Sequence, residues 1–359
     1  MHRNTVIDDL DELQGAARLP RVKNISHQEQ RLAHSQAKRS PHPGHKPKVK
    51  AVEVQAEIAA QADDQGRFEF TYTASRYEGV WLLESLGGMV EERWIADVLR
   101  MIKGGKEASV YQCRGGPATG LEWIAAKVYR PRRFRQLKND HIYKEGRDRL
   151  DIGGHVINDD RMHHAMNKRT GYGLELLHTS WIAHEFKTLQ DLHAAGADVP
   201  EPYASGHNAI LMEYIGDEDT PAPTLNSLEL DRGEARRLFE RVLHNLELML
   251  AHGRVHADLS AYNILYWQGE IWLIDFPQAF PPEANKNGFQ IFRRDVTRIC
   301  EYFISQGVRC KPQKIAEGLW TANGLRLAPE IQPQYLDDQS EQDRALWRKA
   351  QTASKSASR

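Results

Sequence analysis

One pattern constrains this chain more than any other: an aspartate is followed five residues later by an asparagine, and twelve residues further on by a second aspartate. The three residues are Asp258, Asn263 and Asp275. Two short apolar runs, Ile264–Trp267 and 271–274, lie between the last two and predict a pair of β-strands around a Gln-Gly turn. Carboxylate and amide oxygens at these spacings suit the chemistry of phosphoryl transfer.

Each of the three polar residues has a role in such a reaction. Asp258 can orient or deprotonate an attacking hydroxyl, while Asn263 and Asp275 can hold Mg²⁺ against nucleotide phosphates. Two protein ligands suffice because Mg²⁺ keeps several water ligands. The alternative is a polar loop in which Asp and Asn only stabilise turns. The apolar flanks, and His256 just before Asp258, favour the functional interpretation.

Two glycines between β-like runs mark a candidate phosphate-binding loop. Glycine lets a backbone approach phosphates closely, with its N–H groups pointing inward. We expect the loop and the strand after it to supply five cofactor-binding residues: Gly104, Gly105, Lys106, Ser109 and Val110. A plain hairpin turn is the alternative, because the loop matches neither a Walker A motif nor a dinucleotide-binding fingerprint.

A lysine inside an apolar strand is the next candidate. Lys127 lies in the run Trp123–Tyr129, and a surface lysine at a strand edge is the alternative interpretation. In phosphoryl transfer such a lysine binds the α- and β-phosphates and pairs with a glutamate on a helix. Glu185 is the predicted partner because it lies in a helix predicted over 181–192, whereas Glu175 lies outside the clear periodicity.

An apolar strand predicted over 209–214 runs out into Gly216, which suits a hinge between two lobes. With kinase-like spacing, the Glu213 carbonyl and the Ile215 amide would contact the edge of an adenine ring. A plain buried strand is the alternative interpretation. The order of the motifs along the chain favours the hinge.

Periodicity predicts the remaining elements. The run 68–72 alternates like an extended segment or strand, and 77–86 predicts a helix that stops at Gly87-Gly88. The polar stretch 130–179 carries eleven Lys/Arg and seven Asp/Glu with little periodicity, so we expect a mobile insertion with room for a short helix. Two further helices are predicted over 238–250 and 296–303.

Composition divides the chain into a tail, a body and a second tail. Residues 21–50 carry eight Lys/Arg against one acidic residue, which predicts a disordered segment that either solubilises the chain or binds RNA or another polyanion. The predicted parts are a basic tail (1–66), a β-rich N-terminal lobe (67–211) with the insertion at about 130–179, a helical C-terminal lobe (212–336) and a polar tail (337–359).

Charge and cysteine content exclude several classes of protein. The 48 Lys/Arg and 49 Asp/Glu residues nearly cancel, which argues against a globally basic protein that coats nucleic acid. The three cysteines are far apart, so neither a disulfide scaffold nor a cysteine zinc site is expected. No apolar run approaches the ~20 residues that span a bilayer, so we expect a cytoplasmic protein without membrane contact.

The motifs together resemble one known family, the RIO family of atypical protein kinases. The resemblance rests on the segments 104–111, 256–263 and 275–278, with 212–216 and 221–225 similar to the family's hinge and the segment after it. His-Ala-Asp replaces the usual His-Arg-Asp, Asp-Phe-Pro replaces Asp-Phe-Gly, and Ser260 stands where a phosphate-contacting lysine is usual. No Ala-Pro-Glu segment follows Asp275.

The resemblance implies an α+β fold with two lobes, a protein-kinase-like fold of the trimmed RIO type. It implies a serine/threonine protein kinase or ATPase that uses ATP and Mg²⁺, with Mn²⁺ as a substitute. Asp258 would be catalytic, Asn263 and Asp275 would bind the metal, and Asp275 could carry an aspartyl-phosphate. The protein substrate is unknown, and a ribosomal or RNA-containing particle would bind through the basic tail and the insertion. Two alternatives stay open: an ATPase-gated assembly factor, and a small-molecule kinase similar to the aminoglycoside phosphotransferases.

Overall fold

The computed structural model describes residues 69–130 and 149–327, together with some residues between 337 and 348. All of them lie in the unit Glu69–Arg359. The prediction for the basic tail (1–66), and those for positions 131–148 of the insertion and for most of the polar tail, fall outside the described residues.

Five strands form an antiparallel sheet in the order β1-β2-β3-β5-β4. Their bounds are β1 (Ile95–Gly104), β2 (Ala108–Gly115), β3 (Trp123–Tyr129), β4 (Pro202–Ser205) and β5 (Ala209–Glu213). Strand β3 has neighbours on both sides and is buried along almost its whole length, which explains its continuous apolar sequence. In this register Lys127 lies between Val110 on β2 and Ile210 on β5.

Helix α1 (Arg76–Glu91) covers one face of the sheet. Leu82, Leu86 and Met89 of this helix are buried against apolar side chains of the strands. The predicted end at Gly87-Gly88 is therefore wrong, because the packing of Leu86 and Met89 extends the helix across two residues of low helix propensity. The extended segment predicted over 68–72 forms no strand in its described part, although the Tyr72 N–H donates to the Val98 carbonyl at 2.8 Å.

Two helices precede β4: α2 (Asp160–Lys168) and α3 (Gly171–Ala194). The part of the insertion over 149–179 is therefore largely helical, which corrects the prediction of a mobile stretch with room for one short helix. Helix α3 begins ten residues earlier than the predicted 181–192 because the Thr170 hydroxyl caps it, accepting from the Gly173 N–H at 3.0 Å.

The rest of the described chain combines three helices with a β-hairpin. These elements are α4 (Arg232–Ala251), β6 (Ile264–Trp267), β7 (Glu270–Leu273), α5 (Gly288–Ser305) and α6 (Pro312–Ala322). Apolar residues one turn apart on α4 and α5, such as Val242, Leu246, Val296 and Ile299, are buried in a common core. The hairpin turns at Gln268 and Gly269 as predicted, both with positive φ.

The α+β fold class expected from the sequence is confirmed by this combination of an antiparallel sheet with helices. Helix α6 and strand β4 were not predicted, whereas α4 and α5 contain the predicted helices over 238–250 and 296–303. The lobe boundaries at 67, 211 and 336 stay predictions. Among the described residues, no helix is both long enough and apolar enough to cross a membrane.

Candidate active site

A cavity of about 270 Å³ opens between the five-stranded sheet and the end of the β6–β7 hairpin. Nine of the residues predicted to bind nucleotide or metal line it: Gly105, Lys106, Val110, Lys127, Glu185, Glu213, Ile215, Asn263 and Asp275. Apolar side chains that include Ala125, Leu189, Met212 and Leu265 complete the wall. The cavity therefore combines an apolar interior with a few polar groups at one end, as small-molecule sites commonly do.

Three predicted site residues lie outside this cavity. Gly104 ends strand β1 just before the loop, and Ser109 is buried on the opposite face of β2, where its side chain contacts the Tyr111 hydroxyl. Alternation along the strand explains this placement, because Val110 faces the cavity and its neighbour therefore cannot. Asp258 lines a neighbouring cleft, and Asn263 borders both spaces.

Lys127 joins two carboxylates at the polar end of the cavity. Its Nζ lies 2.5 Å from Glu185 Oε1 and 2.6 Å from Asp275 Oδ1. Burial alone would lower the pKa of Lys127, but Asp275 and Glu185 outweigh burial and raise it above its ordinary value. Burial likewise opposes ionisation of Asp275, yet the Lys127 ammonium keeps the pKa of that carboxyl below its ordinary value. Lys127 and Asp275 are therefore both charged near neutral pH.

Tyr129 is a site residue that the sequence analysis missed. Its hydroxyl donates to Glu185 Oε2, so both oxygens of this buried carboxylate have partners. The Lys127 Nζ lies 5.5 Å from the centre of the Tyr129 ring, within the range of a cation–π contact. The position of Tyr129 in the sequence could have identified it. Residues two apart on a strand share a face, and Tyr129 follows Lys127 by two residues.

The glycine loop is a tight turn. The Gly105 N–H donates to the Ala108 carbonyl at 2.9 Å, and a Cβ atom on Gly105 would lie only 2.6 Å from the same oxygen. Glycine is required here by close approach rather than by a positive φ. The Gly105 N–H already donates a hydrogen bond within the turn. It therefore does not point inward toward phosphates in the way that the sequence analysis expected.

The predicted hinge follows strand β5. The Glu213 N–H donates to the Glu201 carbonyl at 2.8 Å, and the Ile215 carbonyl accepts from the Ala222 N–H at 2.9 Å. Among the described residues, none accepts a hydrogen bond from the Ile215 N–H. This amide borders the cavity and is available to a ligand.

His256 fixes the backbone of the Asp258 loop. Its Nε2 lies 3.1 Å from the Ile274 carbonyl, and its Nδ1 accepts from the Asp258 N–H at 3.3 Å. Burial lowers the pKa of His256, which favours the neutral ring with the proton on Nε2. The ring also packs on Phe276 at 4.7 Å between centres. His256 is therefore a structural link between two loops rather than a reacting group.

The candidate metal ligands are tied to the same loops. Asn263 donates through Nδ2 to the Asp258 carbonyl at 2.9 Å, which leaves its amide oxygen free for a cation. The Ile274 N–H donates to the Asn263 carbonyl at 3.0 Å, at the open end of the hairpin. Ala257 and Asp275 have φ values of 71° and 73°, a strained conformation for residues other than glycine.

Helix α5 holds the Asp258 loop from the other side through three residues that the sequence analysis missed. Arg294 donates to the Ala257 carbonyl, the Asp295 carboxylate accepts from the Leu259 N–H, and Arg298 Nη1 lies 3.0 Å from Asp258 Oδ1. Burial raises the pKa of Asp295 to about 6 although Arg294 opposes the shift. No sequence motif connects this helix with the loop.

Asp258 opens into a cleft of about 640 Å³ next to the cavity. The cleft is lined by mostly polar residues: Asn226, Asp258, Ser260, Ala261, Tyr262, Asn263, Arg298, Glu301, Tyr302 and Ser305. The Asp258 side chain is 45% exposed, so it is accessible to a molecule in the cleft. A ligand that fills the cavity as far as Asn263 would therefore meet a second molecule beside Asp258.

Asn263 and Asp275 offer the oxygen ligands that Mg²⁺ prefers. Among the described residues, no group of three or more histidine, cysteine, aspartate or glutamate side chains could hold a metal ion. A cation at this position would therefore be completed by water and by phosphate oxygens, as is usual for Mg²⁺ in nucleotide sites.

Three features together are typical of a protein-kinase-like domain. They are the antiparallel sheet, the Lys127–Glu185 pair, and the Asp258–Asn263 loop beside the hairpin that ends at Asp275. A family model described as "RIO domain" matches residues 109–315. The chain belongs to the RIO domain family.

Curated relatives agree with this assignment. The chain is 28% identical over 225 residues to serine/threonine-protein kinase rio1 of Schizosaccharomyces pombe, covering 62% of this chain and 41% of that protein. It is 29% identical over 215 residues to serine/threonine-protein kinase RIO1 of Homo sapiens, covering 60% of this chain and 34% of that protein. The RIO-type serine/threonine-protein kinase Rio1 of Thermoplasma acidophilum is 31% identical over 137 residues, 38% of this chain and 70% of that protein. This chain thus spans less than half the length of the two eukaryotic relatives.

Proposed function

We propose that this chain is a RIO-type serine/threonine protein kinase that transfers the γ-phosphoryl group of Mg·ATP to a hydroxyl. The observation that carries the proposal is the position of Lys127, which bonds both Glu185 and Asp275 at the polar end of the cavity. A lysine held this way is ready to exchange one carboxylate for a phosphate. The three relatives described above are serine/threonine-protein kinases by name, which supports the same activity.

The adenine ring would occupy the apolar part of the cavity, next to the unbonded Ile215 N–H. Its phosphates would extend toward Lys127, with Asn263 and Asp275 holding Mg²⁺. The bound cation would neutralise phosphate charge during transfer. Asp258, in the neighbouring cleft, would accept the proton of the attacking hydroxyl.

One feature favours ATP hydrolysis as a second activity. Asp275 is followed after twelve residues by Gly288, the first residue of α5, and this connection holds only a short 3₁₀ turn at Pro282–Ala284. It is too short for the long peptide-binding loop that follows the metal-binding aspartate in ordinary protein kinases. With water as acceptor, or with Asp275 as nucleophile, the same site would act as an ATPase or form an aspartyl-phosphate.

The test is incubation of the purified chain with Mg²⁺ and γ-labelled ATP, with and without a generic protein acceptor. Wild type is expected to transfer label or release phosphate, while Asp258→Asn loses this activity and keeps its ATP affinity within a few-fold. Acid-stable label indicates phosphoserine or phosphothreonine, whereas hydroxylamine-labile label indicates an acyl phosphate. Wild-type turnover in the folded Asp258→Asn variant would contradict the assignment of Asp258.

A small-molecule kinase is the remaining alternative, because a His-x-Asp-x4-Asn loop also occurs in enzymes similar to the aminoglycoside phosphotransferases. Stimulation of ATP turnover by aminoglycosides, without labelling of protein, would favour that reading. A ribosomal or RNA-containing partner and a cytoplasmic location stay predictions. The basic tail (1–66) on which the partner prediction depends lies outside the described residues.

A further inference from the structure

Arg298 reaches from helix α5 to the side chain of Asp258. It lies one helical turn beyond Arg294, so the two arginines project from the same side of the helix. Among the described residues, Arg294 bonds the loop at the Ala257 carbonyl, whereas Arg298 Nη1 bonds the Asp258 carboxylate at 3.0 Å. Of the two, only Arg298 acts on the group that would receive a proton.

This contact has little to do with holding the loop in place. The side chains of Arg298 and Asp258 are 41% and 45% exposed, and ion pairs exposed to this extent contribute little to folding. Asp295 and His256 are buried and already fix the loop through the backbone of Leu259, Ile274 and Asp258. Removing Arg298 therefore leaves the fold intact but frees the carboxylate to rotate.

The pairing is also asymmetric. Arg298 occupies Oδ1 of Asp258, and no described residue bonds the second oxygen, Oδ2. Arg298 is also the only cation among the described residues that line the cleft. The arrangement leaves a single carboxylate oxygen exposed to an acceptor, next to a fixed positive charge.

We propose that Arg298 is a positioning residue for phosphoryl transfer: it holds Oδ1 so that Oδ2 faces the acceptor hydroxyl. The inference rests on the proposed function. The hydroxyl proton passes to Oδ2 as the acceptor oxygen bonds to the γ-phosphorus, and the bond from that phosphorus to the bridging oxygen breaks. ADP leaves with the electron pair of that bond. Ser260, on the same loop, carries no charge, so Arg298 supplies the positive charge among the described residues that line the cleft.

The test compares Arg298→Ala and Arg298→Lys with wild type in the full chain. Loss of the guanidinium is expected to lower kcat by about 10- to 100-fold, the size of effect that misplacing a reacting group has, while the KM for ATP stays within about two-fold. Lysine restores the charge without the fixed geometry and is expected to recover only part of the rate. The matched control is Arg236→Ala, because Arg236 pairs with Glu240 at 3.1 Å on the exposed side of α4, and its loss is expected to leave kcat unchanged.

A double variant separates positioning from a general electrostatic effect. If Arg298 acts through Asp258, the residual rate of the Asp258→Asn variant equals that of the double variant Asp258→Asn/Arg298→Ala. If wild type is active and Arg298→Ala is equally active or faster, the inference is wrong and the proposed function still stands. Additive losses in the double variant also overturn it. Wild type that transfers no phosphoryl group to protein, water or small molecule overturns the proposed function, and this inference with it.

Discussion

Lys127 and Asp275 are 148 residues apart in the sequence and 2.6 Å apart in the structure. One belongs to the central strand of the sheet, and the other follows the hairpin, and both line the cavity. Because Glu185 already bonds Lys127, the ammonium has a partner even when Asp275 turns toward a metal ion. Under the proposed function, the Lys127–Asp275 pair is one that Mg·ATP would replace rather than one that only stabilises the fold.

Replacing Lys127 with methionine leaves Glu185 buried opposite Asp275 without a cation between them. Breaking a buried pair in this way is expected to cost about 3–5 kcal/mol of unfolding free energy. Phosphoryl transfer is expected to fall at least about 100-fold because the phosphates lose their charge partner. Urea unfolding and ATP turnover measure the two effects. Lys314→Met, at an exposed position on α6, is the control and is expected to change neither.

Asp275→Ala separates metal binding from a structural role. If this carboxylate holds Mg²⁺, the affinity for Mg·ATP falls at least about ten-fold and any hydroxylamine-labile phosphoenzyme disappears. Asp258→Asn is the comparison, because that residue lies in the acceptor cleft and its loss is expected to leave nucleotide affinity nearly unchanged. Calorimetric titration of the folded Asp275→Ala variant decides the matter. An affinity equal to that of wild type would reject the metal-ligand role.

Tyr129→Phe removes the hydroxyl that donates to Glu185 Oε2 and keeps the ring. A buried carboxylate that loses one donor is expected to cost about 1–3 kcal/mol in stability. Glu185 is also expected to pull Lys127 away from the nucleotide, which raises the KM for ATP more than it changes kcat. Steady-state kinetics and thermal unfolding measure this. Tyr77→Phe, at a tyrosine that is 79% exposed, serves as the control, and equal KM values in both variants would exclude a role for the Tyr129 hydroxyl.

Asp295 makes stability depend on pH with a predictable sign. Its pKa rises from 3.8 to about 6 on burial, so the folded state holds a proton between these values that the unfolded state releases. Stability therefore falls as the pH rises through this window, by about 2–3 kcal/mol for this group alone. Asp295→Asn is expected to gain stability relative to wild type over the same range. Arg294 and Arg298 are the cations that face this carboxyl group. The prediction is contradicted if the free energies of unfolding of the two proteins change in parallel between pH 4 and 7.

The sequence predicted those parts of the site that lie in regular elements with clear periodicity. The hairpin with Asn263 and Asp275 at its ends, strand β3 with Lys127, and the helix with Glu185 were all found from apolar spacing. The partnership of Lys127 with Glu185 followed from the chemistry of phosphate binding, and the structure places the two groups 2.5 Å apart.

The features that the sequence did not predict depend on packing between distant elements. Glycine normally argues against a helix, yet Gly173 lies in the first turn of α3, where a Cβ atom would lie 1.9 Å from the Ala165 carbonyl. The close contact between α2 and α3 requires this glycine, and no local pattern reveals that contact. Arg294, Asp295 and Arg298 were missed for a similar reason, since the crossing of α5 beside the loop decides their roles.

The hydrogen bond from the Ile274 N–H to the Asn263 carbonyl closes the hairpin next to both candidate metal ligands. The spacing of these ligands is therefore set within one short stretch of chain and does not depend on how the sheet lies above it. If the cavity widens, Asn263 and Asp275 would stay together, and Lys127 with Glu185 would separate from them as a second pair. Under the proposed function, nucleotide binding would then take two stages: Asn263 and Asp275 would be in place to hold the cation first, and Lys127 would bond the phosphates only as the cavity narrows.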